Sequence, residues 1–289
     1  MFAPEIVLAA VINGLLTGAV YALVSVALTL FYGVLHIINF AHGAILTLAM
    51  FAALFAQQAG VDPLLAVFGL TPAFFALGYA TQRYVIGPAS HGSDSNVLLI
   101  TLGLSIIIEN VLLAVFGSDT RTIDSPYGFS TIDLGFVFLP VPRLIAAGTA
   151  TIVAILLWAL LKATDTGRAI RAVARERFGA ALVGIDVAHI YAVTFGIGAA
   201  CLAVAACVLL PSYYVQPRAG NAYVLVAFTV VVLGGMGSVP GAVIGGLVIG
   251  VVESLSGLYF GESLGQLGIF LIFILALLLR PTGLFGARA

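Results

Sequence analysis

The stretch Lys162-Ala-Thr-Asp-Thr-Gly-Arg168-Ala-Ile-Arg171-Ala-Val-Ala-Arg175-Glu176-Arg177 contains five of the eleven basic residues of this 289-residue chain. The rest is almost uniformly apolar: the whole sequence is 62% hydrophobic and 8% charged, with a mean hydropathy of +1.20. A soluble domain of this size does not need so much apolar surface. Membrane proteins keep Lys and Arg in short loops on the cytoplasmic side. The stretch therefore predicts a cytoplasmic loop of a polytopic membrane protein.

Apolar runs long enough to cross a bilayer recur along the whole chain, since about 20 residues of helix span a hydrocarbon core. We predict an all-α protein with a single transmembrane domain over residues 1–289 and eight or nine crossings, some of them broken or re-entrant. The candidate spans are 7–31, 37–58, 64–86, 97–117, 141–162, 190–211, 222–236, 241–260 and 265–280. The span 222–236 is short for a perpendicular crossing, and 37–58 is interrupted by polar residues near its start.

The distribution of basic residues predicts the orientation of these spans. With residues 163–189 in the cytoplasm, the cytoplasmic side receives Arg83, Lys162, Arg168, Arg171, Arg175, Arg177, Arg280 and Arg288. The exterior receives only Arg121, Arg143 and Arg218. We therefore expect an exterior N-terminus, a cytoplasmic C-terminus and a long exterior loop over 118–140.

Polar side chains inside the apolar runs are few, and they usually face a cavity or a neighbouring helix. Five are candidates for the wall of a solute path: Asn39, His42, Glu109, Asn110 and Glu253. Asn39 and His42, three residues apart, share a helix face. Interhelical hydrogen bonding that only determines packing is an open alternative for all five, and it is the favoured interpretation for Glu109 and Glu253. We assign Asn13 and Tyr21 to packing.

Glycines spaced by four residues allow helices to approach closely. Four such pairs occur: Gly14/Gly18, Gly241/Gly245, Gly246/Gly250 and Gly257/Gly261. Because a chain with 33 glycines produces such pairs by chance, we give weight only to residues 234–250. We predict a helix break with close packing there, formed by Gly234, Gly235, Gly237, Pro240, Gly241 and Gly245.

Sequence patterns of catalysis are missing. The only lysine, Lys162, follows a leucine, so the chain has no phosphate-binding P-loop. The histidines do not have the spacing of a metal site, and no nucleophile elbow occurs. A net charge of −1 provides no basic stripe for nucleic acid. We expect no enzyme activity and no cofactor in this chain.

The segment 163–189 is predicted to form a cytoplasmic amphipathic helix. Thr164 to Thr166 can cap a helix whose apolar residues alternate with the arginines at helical spacing. A second short helix and turn rich in small residues follows over 179–186. Binding to anionic lipid is one interpretation. The small apolar surface favours contact with a protein.

Six motifs in order resemble a known family, the permease subunits of branched-chain amino acid ABC importers, most nearly the H-type subunit of the leucine/isoleucine/valine system. The motifs are Asn13-Gly-Leu with Tyr21-Ala-Leu, Tyr32-Gly-Val through Ile38-Asn-Phe-Ala-His-Gly43, Thr101-Leu-Gly-Leu-Ser105, Thr166-Gly-Arg-Ala-Ile-Arg-Ala172, Leu233-Gly-Gly-Met-Gly-Ser-Val-Pro-Gly241, and Arg280-Pro-Thr-Gly-Leu-Phe-Gly286.

The resemblance implies a multi-pass protein of the bacterial inner membrane that works with a second permease subunit, either a paralogue or a second copy. It also implies two cytoplasmic ATPases, which bind ATP and Mg, and a periplasmic solute-binding protein. Residues 163–189 would then be the region coupled to the ATPase, through Gly167, Arg168, Arg171, Arg175, Ala180, Ala181, Gly184 and Ile185. Gly184 matches the glycine of the family's ATPase-docking loop.

Few ionisable residues lie in the spans, which fits a zwitterionic or neutral solute better than an ion. The resemblance implies branched-chain or other apolar amino acids as the solute, with urea or a short amide as the nearest rival, and composition does not decide between them. A different class, an ATP-independent secondary transporter or channel, would use Glu109, Glu253 or His42 as a titratable group. Solute identity and the number of crossings stay open at this point.

Overall fold

The computed structural model describes residues 3–90, 94–123, 125, 127–128, 130–133, 135, 137–261, 264–280 and 283–285. Within them the chain is almost entirely helical. The α-helices are α1 (Pro4–Leu35), α2 (His42–Gln58), α3 (Pro63–Ala80), α4 (Gly87–Ser90), α5 (Asp94–Phe116), α6 (Val141–Ala163), α7 (Asp165–Arg175), α8 (Arg177–Leu182), α9 (Val187–Leu209), α10 (Ala219–Gly234), α11 (Val239–Phe260) and α12 (Gly265–Leu279). A π-helical segment, Thr81–Ile86, joins α3 to α4.

The predicted all-α polytopic membrane fold is confirmed. Six helical stretches in the described residues are long and apolar enough to cross a membrane: α1, Pro63–Ser90, Ser95–Phe116, α6, α9 and α11. Three shorter apolar helices, α2, α10 and α12, account for the other candidate spans. Of the residues named above, Pro281, Thr282, Gly286 and Arg288 lie outside the described part.

Most helix starts follow from local sequence. The carboxylate of Asp62 accepts a hydrogen bond from the backbone N–H of Leu64 at 2.8 Å, and Pro63 occupies the first turn of α3. Ser238 caps α11 in the same way, 3.2 Å from the N–H of Gly241. Such caps satisfy amides that the first helical turn leaves without partners, and proline in the first turn forfeits no hydrogen bond.

Helix α9 lies at the centre of the fold, because all residues from Thr194 to Leu209 except Ile197 are buried. It packs against α1, α2 and α3, and the ring of Phe195 stacks on Phe31 at 4.7 Å between centroids. By contrast, α5, α6 and α12 expose large apolar side chains, among them Leu99, Ile155 and Leu279. That pattern suits peripheral helices surrounded by lipid.

Helices α1 and α11 cross with their backbones in contact. A Cβ atom on Gly18 would lie 2.6 Å from the carbonyl oxygen of Gly246, and one on Gly14 would lie 2.8 Å from that of Gly250. The pairs Gly14/Gly18 and Gly246/Gly250 thus face each other. Gly14 and Gly18, a pair to which the sequence analysis gave no weight, form half of this close helix crossing.

The helix ends gather at two opposite faces. At one face, which we call the basic face, Arg83 lies 3.8 Å from Asp186, and Val34 packs on Ile170. The C-terminal residues 283–285 reach the same place, because the N–H of residue 284 donates to the carbonyl of Leu233 at 2.8 Å. The basic face therefore comprises residues 81–90, 163–189, 233–241 and 283–285.

At the opposite face, Tyr127 donates a hydrogen bond to Asp62 at 3.1 Å, and Arg121 and Val215 form an antiparallel bridge. A short hairpin follows, in which β1 (Thr131–Asp133) pairs antiparallel with β2 (Phe138–Pro140). The hairpin is a local addition to the confirmed all-α fold that the sequence did not predict. Three residues per strand carry too little alternation to be recognised in a long polar loop.

The two doubtful spans begin inside the bundle. The N-termini of α2 and α10 meet there: the N–H of Gly220 donates to the hydroxyl of Thr47 at 2.9 Å, and Gly43 is in backbone contact with Gly220. The chain enters α2 from the basic face, and it enters α10 from the opposite face. Non-helical backbone at membrane depth is tolerated only where protein covers it. The expectation of broken or re-entrant segments is confirmed at both places.

The predicted glycine-rich break separates α10 from α11. Gly235 and Gly237 have positive φ angles of 99° and 86°, which only glycine adopts readily. A Cβ on Gly234 would lie 2.2 Å from the carbonyl oxygen of Gly241. One on Gly245 would meet the carbonyl oxygen of Val230 at 2.8 Å, while Pro240 lies in the first turn of α11. The break is thus a tight helical hairpin.

Candidate functional site

The five polar candidates of the sequence occupy three separate places in the fold. Asn39 lies in non-helical backbone just before α2, and not on the helix face predicted for it with His42, which is the first residue of α2. Glu109 and Asn110 lie on α5, and Glu253 lies on α11. The structure does not gather them into one site. Each place therefore has its own chemistry.

Asn39 and His42 are buried at the meeting point of α2 and α10, with exposed fractions of 4% and 0%. The Oδ1 atom of Asn39 accepts from the N–H of Ala41 at 3.0 Å, and the His42 ring lies edge-on to Phe31 at 6.0 Å. The Nδ2 atom of Asn39 and both ring nitrogens of His42 have no hydrogen-bond partner within the described chain. Unpaired buried polar groups are costly and usually have a functional reason.

Glu109 belongs to the opposite face, where its carboxylate accepts from Ser105 at 3.2 Å and lies 3.9 Å from Arg218. Asn110 donates to the carbonyl oxygen of Ile106 in its own helix at 2.7 Å and is exposed. Both side chains have partners within the protein. Their contacts agree with a packing role for these two residues.

Glu253 lies in a cavity of about 540 Å³ near the opposite face, together with Asn13, Tyr21 and Arg143. The carboxylate of Glu253 interacts with the hydroxyl of Tyr21 and with the positive charge of Arg143. The sequence placed none of the other three residues in a site. They lie in different helices, and only folding brings them together.

The segment 163–189 forms α7 and α8 on the basic face. Thr164 caps α7 by accepting from the N–H of Gly167 at 3.0 Å. The arginines at 168, 171 and 175 are exposed, and Ile170 and Val173 are buried against Val34 and Ile190. The amphipathic helix is therefore present, and its apolar side anchors it to α1 and α9.

The predicted contact residues of this segment divide into two groups. Gly167 and Ala180 are buried within the chain itself, and a Cβ on Gly167 would meet backbone oxygens of α6. Ala181 and Gly184 are exposed, and Ile185 is half-buried. Gly184 has a φ of 89°, and no atom lies within 4 Å of the place where its Cβ would be.

An exposed apolar patch surrounds Gly184, and it extends the small apolar surface predicted over 179–186 to Phe178. Phe178, Leu182 and Val183 are 70%, 73% and 76% exposed, and all three belong to α8 and its C-terminal turn. Large apolar side chains this exposed on a polar face mark a contact surface. The signal for this patch in the sequence was the presence of three bulky apolar residues within a charged loop.

The segment is also joined to α3. The hydroxyl of Tyr79 is 3.0 Å from Nδ1 of His189, and Arg83 lies beside Asp186. The backbone N–H of His189 donates to the Asp186 carboxylate, and this bond, with Arg83 nearby, lowers the pKa of Asp186. Movement of α7 and α8 would thus reach α1, α3 and α9 through packed side chains.

Comparison with known proteins identifies similar chains. The family model described as "Branched-chain amino acid transport system / permease component" matches residues 10–279. The permease protein BraD of the high-affinity branched-chain amino acid transport system of Pseudomonas aeruginosa is 33% identical over 95% of this chain and 94% of its own length. The corresponding LivH of Salmonella typhimurium is 34% identical over the same shares.

The fold is similar to that of a solved structure. This structure is PsaBC from Streptococcus pneumoniae in complex with Fab, which aligns with 94% of this chain and 92% of its own at a TM-score of 0.52. The sequences are 16% identical, so the likeness concerns the fold alone.

Proposed function

This chain belongs to the family of branched-chain amino acid transport system permease components, and we propose that it forms the membrane path of an ATP-driven importer for branched-chain or other apolar amino acids. The observation that carries this proposal is the exposed patch of α8 around Gly184, anchored through α7 to the transmembrane helices. A channel or secondary transporter needs no such surface.

In the proposed mechanism, the basic face is cytoplasmic and binds one of two separate ATPase subunits, which hold ATP and Mg. A second permease subunit, a paralogue or a second copy, completes the path, and a periplasmic binding protein delivers the solute to the opposite face. The chain would lie in the bacterial inner membrane. Closure of the ATPases would move α7 and α8 as a rigid body. This movement would be passed to α1 and α9, because Ile170, Val173 and Ala180 pack on Val34 and Ile190.

Reconstitution tests this function. We expect no uptake of tritiated leucine into liposomes that contain the purified chain alone under a proton gradient. Uptake should begin when the second permease subunit, the ATPase and the binding protein are present and ATP is supplied on the ATPase side. Robust proton-driven uptake by the chain alone would overturn the proposal.

His42 should distinguish a solute path from mere packing. In the His42→Leu variant, we expect leucine uptake by the assembled importer to fall at least about tenfold. The free energy of unfolding should stay unchanged or rise by about 1 kcal/mol, because the leucine removes two buried ring nitrogens that have no partner in the described chain. Uptake assays and thermal unfolding of the purified chain measure both quantities.

Ser25→Ala is the matched control. The Ser25 hydroxyl is also buried and without a partner among the described residues, but it belongs to α1 and not to the starts of α2 and α10. Uptake should be unaffected in this variant. If His42→Leu also transports at the normal rate, His42 is only a packing residue.

A further inference from the structure

The cavity that contains Glu253 is unusually polar for this chain. It lies between the first half of α1, the second half of α11 and the starts of α6 and α12. Its wall carries a carboxylate, a guanidinium, two phenol hydroxyls and an amide, from Glu253, Arg143, Tyr21, Tyr213 and Asn13. Only 8% of all residues are charged, so an acid and a base in one cavity need a reason.

Part of this polarity belongs to the packing of α1 on α11. Ser254 donates to the carbonyl oxygen of Ala10 at 2.7 Å, and Asn13 donates through Nδ2 to the carbonyl oxygen of Ala9 at 3.0 Å. Both hydrogen bonds are made within the protein. They explain the presence of Ser254 and of the Nδ2 atom of Asn13, but not that of Glu253 and Arg143.

Arg143 and Glu253 line the same cavity without forming a direct ion pair in the described structure. Glu109 and Arg218, also near the opposite face, do form one at 3.9 Å. A charge inside a membrane protein normally pairs with a neighbour or serves a function. The separation leaves the carboxylate and the guanidinium facing the same space, where a ligand carrying both signs of charge can contact each of them.

We propose that this cavity is the entry site for a zwitterionic amino acid, with Glu253 binding the ammonium group and Arg143 binding the carboxylate. The Tyr21 hydroxyl, which lies beside Glu253, would also contact the ammonium group. The Tyr213 hydroxyl, which lines the same cavity as Arg143, would also contact the carboxylate. A guanidinium can bind a carboxylate through two parallel hydrogen bonds. This proposal rests on the proposed import of amino acids and adds the site.

The size and the apolar part of the cavity fit such a ligand. A volume of about 540 Å³ lies in the range of small-molecule sites and accommodates one amino acid with a few waters. Ala10, Leu258 and the glycines at 250, 257 and 265 form the apolar part of the wall, which suits a branched aliphatic group. A sugar carries no charge, so it would leave Glu253 and Arg143 without oppositely charged partners.

The position is suitable for entry. The cavity lies near the N-terminus of α1 and the starts of α6 and α12, at the end of the bundle opposite the basic face. In the proposed orientation this end faces the periplasm. A solute released there would meet the cavity before the buried Asn39 and His42.

Binding to the purified full-length chain in lipid nanodiscs tests the site. The labelled probes are leucine, 3-methylbutylamine (leucine without its carboxylate) and 4-methylpentanoate (leucine without its ammonium). Both Glu253→Gln and Arg143→Gln should weaken leucine binding at least about tenfold, the usual effect of losing a charge-assisted contact. Glu5→Gln, which neutralises an exposed acid in the first turn of α1, should leave leucine binding unchanged.

The two analogues separate the roles. Glu253→Gln should weaken binding of the amine and leave the acid unchanged, and Arg143→Gln should do the reverse. This crossed pattern cannot arise from misfolding. Absence of leucine binding by the wild-type chain, normal leucine binding by both variants, or equal loss of all three probes would each overturn the proposal.

Uptake assays with the reconstituted importer distinguish a failure of the proposed site from a failure of the proposed function. Normal ATP-driven uptake by both variants would reject the site and leave the function standing. Absence of ATP-driven uptake by the wild-type importer would reject the function.

Discussion

Replacement of Gly184 by tryptophan is expected to abolish co-purification of the ATPase with this chain. Gly184 lies in the turn after α8, beside exposed Phe178, Leu182 and Val183, and no atom of the described residues fills the space next to it. An indole there would occupy the volume that the partner needs. Its positive φ of 89° also disfavours any side chain. Affinity purification of the tagged chain, followed by immunodetection of the ATPase, measures the loss.

Gly60→Trp is the matched control for Gly184→Trp. Gly60 has a φ of 88°, is also exposed and has no atom near its missing Cβ, but it lies at the opposite face. The two variants therefore carry the same backbone strain and the same added ring. Both should insert in the membrane at normal levels, and only Gly184→Trp should lose the ATPase. Equal recovery of ATPase with both variants would contradict docking at α8.

Replacement of Gly250 by valine should prevent the fold from forming. A Cβ at this position would lie 2.3 Å from the carbonyl oxygen of Gly14 and 2.3 Å from the backbone nitrogen of Gly18. Backbone atoms cannot rotate away as a side chain can, so α1 and α11 would have to separate along their whole crossing. We expect a loss of at least about 3 kcal/mol, at the upper end of overpacking effects. Membrane abundance and thermal unfolding would reveal it.

Gly148→Val provides the comparison for Gly250→Val. Gly148 lies within α6, another long apolar helix, and no atom lies within 4 Å of its missing Cβ. Both changes add the same β-branched side chain to a membrane helix. Normal abundance is expected for Gly148→Val, and equal abundance of the two variants would contradict the close α1–α11 crossing.

Much of the secondary structure was predictable, because it depends on local composition. Each of the nine candidate spans corresponds to a helical stretch in the described chain, including the short one at 222–236 that the glycine-rich turn ends. The amphipathic helix at 165–175 followed from its arginine spacing. The hairpin at 131–140 did not, since its strands are too short to show a pattern.

The candidate sites were predictable only in part. His42 and Asn39 were recognised because polar residues are rare in apolar runs, and both are buried at the meeting point of two helix starts. Arg143 was read only as an exterior charge. Its closeness to Glu253, 110 positions later in the chain, depends on how α6 and α11 pack beside α1.

The sequence by itself determined the class of protein, the position of its helices and the amphipathic loop, because each depends on the hydropathy of about 20 neighbouring residues. Only the tertiary structure decided which glycines touch, where α2 and α10 begin, and which charges share a cavity. In a chain with 33 glycines, many pairs have the spacing for close contact. The packing of all the other helices determines which of these pairs makes the contact, so a local sequence pattern cannot predict it.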